Sequence, residues 1–150
     1  MTMLPKDFIA QIAGPAKEIA ATSKIPASII VAQAALESGW KLDAPGNNLF
    51  GIKADKSWKG PIVMEHTHEV INGVRTPTMA QFRAYKTWMG SLEDHAKFLL
   101  QNPRYKPCFE TINGAGFAKQ LQACGYSTSP TYSELLIEIM NEHNLLALDM

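Results

Sequence analysis

The most informative stretch of the chain is residues 26–40, which read PASIIVAQAALESGW. Pro26 suits the first turn of a helix, because that turn has no partner for the N–H that proline lacks. Apolar residues then recur at helical spacing, and Gly39 can end the helix because glycine readily adopts the left-handed backbone of a helix end. The stretch therefore predicts a mainly apolar helix that ends next to Gly39.

Glu37 is the acidic residue of this predicted helix. It lies in the last turn, where unpaired carbonyl groups make the local dipole negative, and it shares a largely apolar face with Ile30. Burial and that dipole both disfavour the charged carboxylate, so we expect a raised pKa. A carboxyl group that stays protonated near neutral pH can act as a general acid. Glu37 is therefore a candidate catalytic acid, and an ordinary exposed glutamate at a helix end is the alternative.

Helical periodicity returns on both sides of this stretch. It predicts four further helices, over residues 5–24, from Ser91 to Pro103, over 117–124, and from Ser129 towards the C-terminus. Gly14-Pro15 predicts a break in the first of them, because proline removes a helical hydrogen bond. Ser91 begins a capping-box pattern, which is typical of a helix start.

The middle of the chain has the pattern of strands and turns. Residues 62–71 and 74–85 alternate in polarity, after a loop at 41–60. Asn72-Gly73 joins the two alternating segments and suits a type I′ turn, so the sequence predicts a β-hairpin. Pro77 predicts that its strand lies at an edge or is interrupted. The expected fold class is α+β, mostly α.

Composition narrows the classes of function. The chain is 46% hydrophobic and can bury a core, so residues 1–150 are expected to form a single domain. Fourteen basic and fourteen acidic residues balance, which argues against a general nucleic-acid binder. No apolar run approaches the about 18 residues that a membrane helix needs. We therefore expect neither nucleic-acid binding nor membrane insertion.

Seven short blocks follow one another along the chain. They are Ala32–Trp40, Asn48–Ala54, Trp58–Pro61, Asn72-Gly73, Phe82–Tyr85, Asn102–Tyr105 and Gly125-Tyr126. Together the blocks resemble the glucosaminidase family, glycoside hydrolase family 73. The resemblance implies a lysozyme-like fold with a helical lobe, a small β-hairpin lobe and a sugar-binding cleft between them. That fold agrees with the order of helices and hairpin predicted above.

The resemblance assigns roles to two carboxylates. It implies that Glu37 is the general acid that protonates the glycosidic oxygen as the sugar–oxygen bond breaks. It also implies a second catalytic carboxylate shortly before the Asn72-Gly73 turn, and Glu69 occupies that position. Glu65 is the rival, since strand alternation places Glu65 and Glu69 on the same face.

A sugar-binding cleft needs flat aromatic surfaces for the sugar rings and polar groups for their substituents. The substrate-binding residues that the resemblance implies are Asn48, Phe50, Trp58, Tyr85 and Tyr126. The family uses no metal, and we expect no cofactor.

Two further sets of side chains leave alternatives open. His66 and His68, with His95 as a third ligand, are a conceivable metal site. No accompanying Asp or Cys has ligand spacing, so we favour polar strand residues for the first two. Cys108 and Cys124 either pair in an oxidising compartment or are two small buried side chains.

The implied function is that of a peptidoglycan hydrolase cleaving β-1,4 bonds of the glycan strand, as an endo-β-N-acetylglucosaminidase. A muramidase or a lytic transglycosylase on the same fold is an alternative, as is a non-enzymatic wall-binding or assembly module. The block Asn48-Leu49-Phe50-Gly51 argues against the transglycosylase, which usually has Gly-Leu-Met-Gln there.

The N-terminal residues show no signal peptide, since no basic segment precedes an apolar one. A wall hydrolase that begins with Met and enters its catalytic domain within a few residues resembles a bacteriophage endolysin. A prophage gene, a flagellar protein or a secretion-system effector is the alternative. We expect a monomer that is made in the cytoplasm and acts on the cell wall in the periplasm after release or export.

Overall fold

The computed structural model describes all 150 residues. Its main elements are α1 (Pro5–Ser23), α2 (Ala27–Ser38), β1 (Ile62–Ile71), β2 (Val74–Arg83), α3 (Trp88–Gln101), α4 (Gly114–Ala123) and α5 (Tyr132–Glu142). Short 3₁₀ helices lie at Pro45–Asn47, Pro103–Glu110 and Leu145–Asp149. The predicted order of helices on both sides of one hairpin is confirmed. No helix combines the length and the apolar character needed to cross a membrane.

The helix α2 forms the centre of the core. Nine consecutive residues, from Ala27 to Ala35, are buried, and α2 packs against α1 and α5. A helix that is buried on all sides is expected to be mainly apolar, and seven of these nine residues are hydrophobic. Gly39 ends the helix in the left-handed conformation, with φ of 67°, as the sequence predicts. Glu37 therefore lies where the helix leaves the core.

The predicted break in α1 is wrong, because the helix continues through Pro15. Proline in a helix interior costs about 3 kcal/mol. Phe8, Ile12 and Ala16 lie before and after this point on one buried face, and their packing offsets the cost. Gly14 also has no Cβ to clash with the proline ring, which is the usual reason that a helix ends before proline.

The starts of the other helices differ from the sequence expectation by up to one turn. The helix α3 begins at Trp88, because the Ser91 hydroxyl donates to the Trp88 carbonyl over 2.7 Å inside the helix and does not cap it. The helix α4 begins at Gly114, where the Asn113 side chain accepts from the backbone of the first turn. The helix α5 begins at Tyr132, three residues after Ser129.

The strands β1 and β2 form a two-stranded antiparallel sheet. Asn72 and Gly73 have φ of 52° and 78°, which confirms the predicted turn with positive φ at both positions. Pro77 pairs with His68 without interrupting the strand, since both strands of a two-stranded sheet are edges. The strand β2 ends at Arg83, two residues before the predicted end.

An ion pair joins the base of the hairpin to the helical lobe. Arg83, at the end of β2, is 8% exposed, and its Nη1 donates to Asp94 Oδ2 of α3 over 3.0 Å. The Tyr85 hydroxyl donates to the same carboxylate oxygen. The Arg83 Nε also donates to the Lys53 carbonyl over 3.1 Å. These bonds fix the angle at which the hairpin leaves the helices.

Candidate active site

A cavity of about 440 Å³ lies between the end of α2, the loop that follows it and the hairpin. Four of the predicted site residues line it, and they are Glu37, Phe50, Glu69 and Tyr126. A cavity beside the C-terminal residues has a similar volume of about 420 Å³, so size does not identify the site. The cavity that contains Glu37 and Glu69 is the candidate active site, because two carboxylates and aromatic walls line it.

Glu37 is exposed to the cavity, yet burial raises the pKa of its carboxyl group. The Tyr132 hydroxyl lies beside the carboxyl group, and its polarity opposes this shift of the pKa in part. The backbone passes close by at Gly51, which has φ of 62° and where an added Cβ would lie 3.9 Å from Glu37 Oε2. Substrate can therefore reach a carboxyl group whose surroundings favour the protonated form.

Three tyrosines surround this carboxyl group. Tyr126 stacks on Tyr132 with ring centroids 5.6 Å apart, and Tyr105 lies 5.9 Å from Tyr126. Burial is the largest cause that raises the pKa of all three, so their hydroxyls stay neutral. The sequence expectation missed the role of Tyr132, which helical spacing places in the core. Its hydroxyl beside Glu37 becomes visible only when α5 is packed against α2.

Glu69 is half-buried on the hairpin face that also carries Glu65 and Thr67. Its carboxylate forms an ion pair with Lys53, which lines the same cavity. Glu65 lies closer to the base of the hairpin and does not line the cavity, although burial raises its pKa too. The geometry thus favours Glu69 over Glu65 as the partner of Glu37.

Asn48 is buried and has a different position from the one expected. Its Nδ2 donates to the carbonyls of Ile52 and Arg83, both over 2.9 Å. Its Oδ1 accepts from the N–H groups of Phe50 and Ile52. These four bonds use the whole capacity of the carboxamide. The structure therefore gives Asn48 a supporting role, in place of the predicted contact with sugar.

Trp58 and Tyr85 do not line the cavity of the carboxylates. Trp58 lines a neighbouring cavity of about 450 Å³, which shares Asp55 and Phe98 with the first. The Arg83 guanidinium lies 4.9 Å from the centre of the Trp58 ring. The rings of Tyr85 and Trp58 pack edge to face, and the Tyr85 hydroxyl donates to Asp94. Tyr85 therefore supports the wall of the cavity without lining it. The two adjoining cavities form one extended cleft.

The remaining candidate residues, the histidines and cysteines, lie outside the cavity that contains the two carboxylates. His66 and His68 are exposed on the hairpin, whereas His95 is fully buried in the helical lobe, so the three do not meet as metal ligands. Cys108 is buried and Cys124 half-buried, and both are free thiols. Burial and the neighbouring Cys124 raise the pKa of Cys108 to about 12.

Comparison with known proteins agrees with this geometry. A glucosaminidase family model, described as mannosyl-glycoprotein endo-β-N-acetylglucosaminidase, matches residues 13–145. The peptidoglycan hydrolase FlgJ of Salmonella typhimurium is 37% identical, over 91% of this chain and 46% of its own length. The exo-glucosaminidase LytG of Bacillus subtilis is 36% identical, over 92% of this chain and 51% of its own length. The chain thus spans about half the length of these curated relatives.

The fold has a close counterpart among solved structures. A peptidoglycan hydrolase mutant from Sphingomonas sp. A1 superposes with a TM-score of 0.82 and 35% identity. The match covers 95% of this chain and 96% of that one. The expected lysozyme-like arrangement of a helical lobe, a hairpin lobe and a cleft is confirmed. The chain belongs to the glucosaminidase family, glycoside hydrolase family 73.

Proposed function

We propose that this domain hydrolyses the β-1,4 glycosidic bonds of peptidoglycan glycan strands, as an endo-β-N-acetylglucosaminidase. The observation that carries the proposal is the pair of carboxylates in one cleft, Glu37 with a raised pKa and Glu69 on the hairpin. The family match and the two wall-hydrolase relatives support the choice of substrate. The cleft supplies binding and chemistry without a metal or cofactor.

Glu37 acts as the general acid in this mechanism. Because burial raises its pKa, the Glu37 carboxyl group keeps its proton to a higher pH than an ordinary glutamate does, and it can give that proton to the leaving glycosidic oxygen. The Tyr132 hydroxyl lies beside the carboxylate that remains and can donate a hydrogen bond to it. Replacing Glu37 with Gln removes the proton donor and keeps the size of the side chain.

Glu69 acts as the second carboxylate. It either takes a proton from the attacking water or attacks the anomeric carbon itself. The Lys53 ammonium holds the Glu69 carboxylate on the cleft side of the hairpin. A third pathway uses the N-acetyl group of the substrate itself as the nucleophile. The configuration of the first product, read by proton NMR, separates inversion by direct attack of water from retention, which attack by Glu69 and attack by the N-acetyl group have in common.

Tyr126 and Trp58, which are partly exposed, bind the sugar rings, whereas Phe50 is 2% exposed and supports the wall from within. Phe50 and Tyr126 form part of the wall beside the carboxylates, and Trp58 forms part of the adjoining cavity. A glycan strand that passes from one cavity to the other crosses their shared residues, Asp55 and Phe98. The cleft thus holds sugars on both sides of the cleaved bond.

Mass spectrometry of digested peptidoglycan tests the proposal. We expect fragments with reducing N-acetylglucosamine ends, and Glu37→Gln lowers their rate of release at least about 100-fold. Glu138→Gln, an exposed glutamate on α5, is the matched control and keeps full activity. Reducing N-acetylmuramic acid ends would replace the proposal with a muramidase, and 1,6-anhydro ends would replace it with a lytic transglycosylase. Binding to walls without any cleavage would leave a non-enzymatic module.

The biological setting that we propose is lysis of a bacterial wall by an endolysin that acts as a monomer in the periplasm. Expression in bacteria should leave the cells intact until the inner membrane is permeabilised, and lysis should then follow. Cells expressing Glu37→Gln should survive the same treatment. Lysis by that variant would contradict the proposed mechanism, and the absence of lysis by the unaltered chain would contradict the setting.

A further inference from the structure

Three buried polar side chains form a hydrogen-bonded row behind Glu37. Gln33, His95 and Tyr132 come from α2, α3 and α5 and are 0%, 0% and 2% exposed. His95 Nε2 lies 2.8 Å from Gln33 Oε1, and Gln33 Nε2 donates to the Tyr132 hydroxyl oxygen over 2.9 Å. The Tyr132 hydroxyl lies beside the Glu37 carboxyl group, and each of the two groups shifts the pKa of the other. The row thus leads from a fully buried histidine to the side of the proposed catalytic acid.

The direction in which the hydrogen bonds of this row are donated decides whether Glu37 can receive a hydrogen bond from Tyr132. With Gln33 Oε1 towards His95, the proton between them belongs to His95 Nε2, because a carbonyl oxygen only accepts. The Gln33 amide group then donates to Tyr132, whose own hydrogen is free for Glu37. If Gln33 were turned over, Tyr132 would donate to Gln33 and Glu37 would lose its donor.

The other nitrogen of His95 favours the first direction. Nδ1 is buried and has no hydrogen-bond partner. In the reversed row Nε2 would accept from Gln33, so the neutral ring would carry its proton at Nδ1. A buried N–H without an acceptor is among the rarest features of native structures. Burial lowers the pKa of His95 to about 3, so the ring does not carry both protons near neutral pH.

Packing holds the ring that sets this direction. The Phe50 ring stacks on the imidazole with centroids 3.9 Å apart and planes 11° from parallel. His95 therefore cannot swing to present Nδ1 to Gln33 without displacing a residue of the cleft wall. The ring of His95, which sets the direction of the row, and the ring of Phe50, which lines the cleft, therefore hold each other in place.

We propose that His95 is a positioning residue, which through Gln33 holds the Tyr132 hydroxyl as a hydrogen-bond donor to Glu37. The role rests on the proposed action of Glu37 as a general acid. The donor stabilises the carboxylate that Glu37 becomes when its proton leaves, and it keeps the carboxyl group in one orientation. His95 does this from within the core, without contact to the substrate.

The protonation site of His95 tests the proposal in the unaltered protein. NMR of the chain labelled with nitrogen-15 in histidine should show Nε2 protonated and Nδ1 unprotonated at neutral pH. A proton at Nδ1 would overturn the proposal, because the row would then run in the opposite direction. The measurement needs no activity, so it gives a result even if the chain proves not to be a glycosidase.

Two variants of His95 test its effect on Glu37. His95→Phe keeps a ring against Phe50 but removes the N–H, whereas His95→Gln keeps an N–H at a similar reach. Loss of the donor should raise the pKa of Glu37 by about one unit, observed by carbon-13 NMR and as an upward shift of the basic limb of kcat/KM. His95→Gln should leave both unchanged. A purely structural role would lower activity at every pH and would not move the limb.

A double-mutant cycle tests whether His95 acts through Tyr132. In a Tyr132→Phe background, His95→Phe should cause no further shift of the limb. A second shift of equal size would overturn the proposal. The other ionisable groups that line the cleft, which stay unchanged in every variant, are Lys53, Asp55, Glu69, Tyr105 and Tyr126. If His95→Phe does not fold, the protonation site in the unaltered protein still decides the question.

Discussion

Glu37 shows how a single residue can combine access with a low-polarity setting. The helix α2 is buried through Ala35 and then leaves the core, so Glu37 reaches the cleft while protein atoms still surround much of its carboxyl group. Burial raises the pKa even though part of the residue is exposed. The end of a buried helix is thus a natural place for a general acid.

The raised pKa has a consequence for stability. Above the unfolded value near 4.5, the folded protein must ionise a partly desolvated carboxyl group, which costs folding free energy. We expect Glu37→Gln to raise Tm at pH 7 by about 1–3 °C, a small change because solvent reaches the residue. The difference from the unaltered chain should vanish as the pH falls below about 4. Thermal unfolding between pH 3 and 8 measures it.

Glu138→Gln is the control for this measurement, since Glu138 is exposed on α5. Its Tm should follow that of the unaltered chain at every pH. A lower Tm for Glu37→Gln at pH 7 would contradict the prediction, because it would mean that the carboxylate stabilises the folded state.

The sequence makes Glu37 a candidate site residue, but it does not show that Asn48 supports the backbone around the site. Helical spacing and the Gly39 stop make Glu37 a candidate within one local element, and the family resemblance then implies its role as the acid. Asn48 bonds to the backbone of Phe50, Ile52 and Arg83, and the last of these is 35 residues away. No local pattern records which backbone groups a side chain will meet, so only the folded chain distinguishes support from substrate contact.

At the scale of elements, α1 shows how packing can override a helix breaker. Pro15 lies within the helix and leaves a carbonyl without its usual donor, whereas Pro5 lies at the first helical position, where no such donor is needed. We expect Pro15→Ala to stabilise the protein by about 1–3 kcal/mol in urea unfolding.

Pro5→Ala is the matched control in the same helix. It should change the free energy of unfolding by no more than about 0.5 kcal/mol, since the first turn loses nothing to proline. Equal effects of the two substitutions would show that position within α1 does not matter.

The ion pair between Arg83 and Asp94 holds the base of the hairpin against α3. Asp94→Asn leaves the guanidinium of Arg83 without its buried counter-charge, so we expect a loss of about 2–4 kcal/mol in unfolding free energy. Activity should fall as well, because Glu69 lies on the hairpin that the ion pair orients. Urea unfolding and digestion rates measure the two effects.

Asp43→Asn is the control for Asp94, because it removes an exposed ion pair with the N-terminal amine. It should change stability by less than about 0.5 kcal/mol and leave the digestion rate unchanged. A comparable loss of unfolding free energy in both variants would show that the buried Arg83–Asp94 pair stabilises the protein no more than an exposed ion pair does.

The sequence predicts the kinds of elements better than their ends. Asn72-Gly73 predicts its turn correctly, because positive φ at two adjacent positions demands such residues. Ser91 predicts a helix start that in fact lies at Trp88, since a serine hydroxyl can either cap a helix or donate to a carbonyl inside it. Helix ends depend on competition among such local bonds, and the surrounding fold decides it.

At the scale of the whole molecule, the fold protects one thiol more than the other. Cys108 is 0% exposed with a pKa raised to about 12, whereas Cys124 is half-buried. The thiolate is the reactive form, so at pH 8 we expect a disulfide reagent to modify Cys124 about 100-fold faster than Cys108.

Single substitutions assign the two rates to the two thiols. Cys124→Ser should leave only the slow reaction, and Cys108→Ser only the fast one. A bond between Cys108 and Cys124 in the protein as purified, detected by mass spectrometry, would contradict the free thiols of this fold.

The core and the chemistry of this molecule share one helix. The same segment contributes nine consecutive buried residues, among them Gln33 of the hydrogen-bonded row, and Glu37 itself. A substitution in α2 therefore alters foldability and catalysis together, and natural variation there has little freedom. The hairpin, by contrast, contributes only Phe82 to the buried hydrophobic residues. We expect new substrate preferences to arise in the hairpin during evolution, while α2 stays nearly fixed.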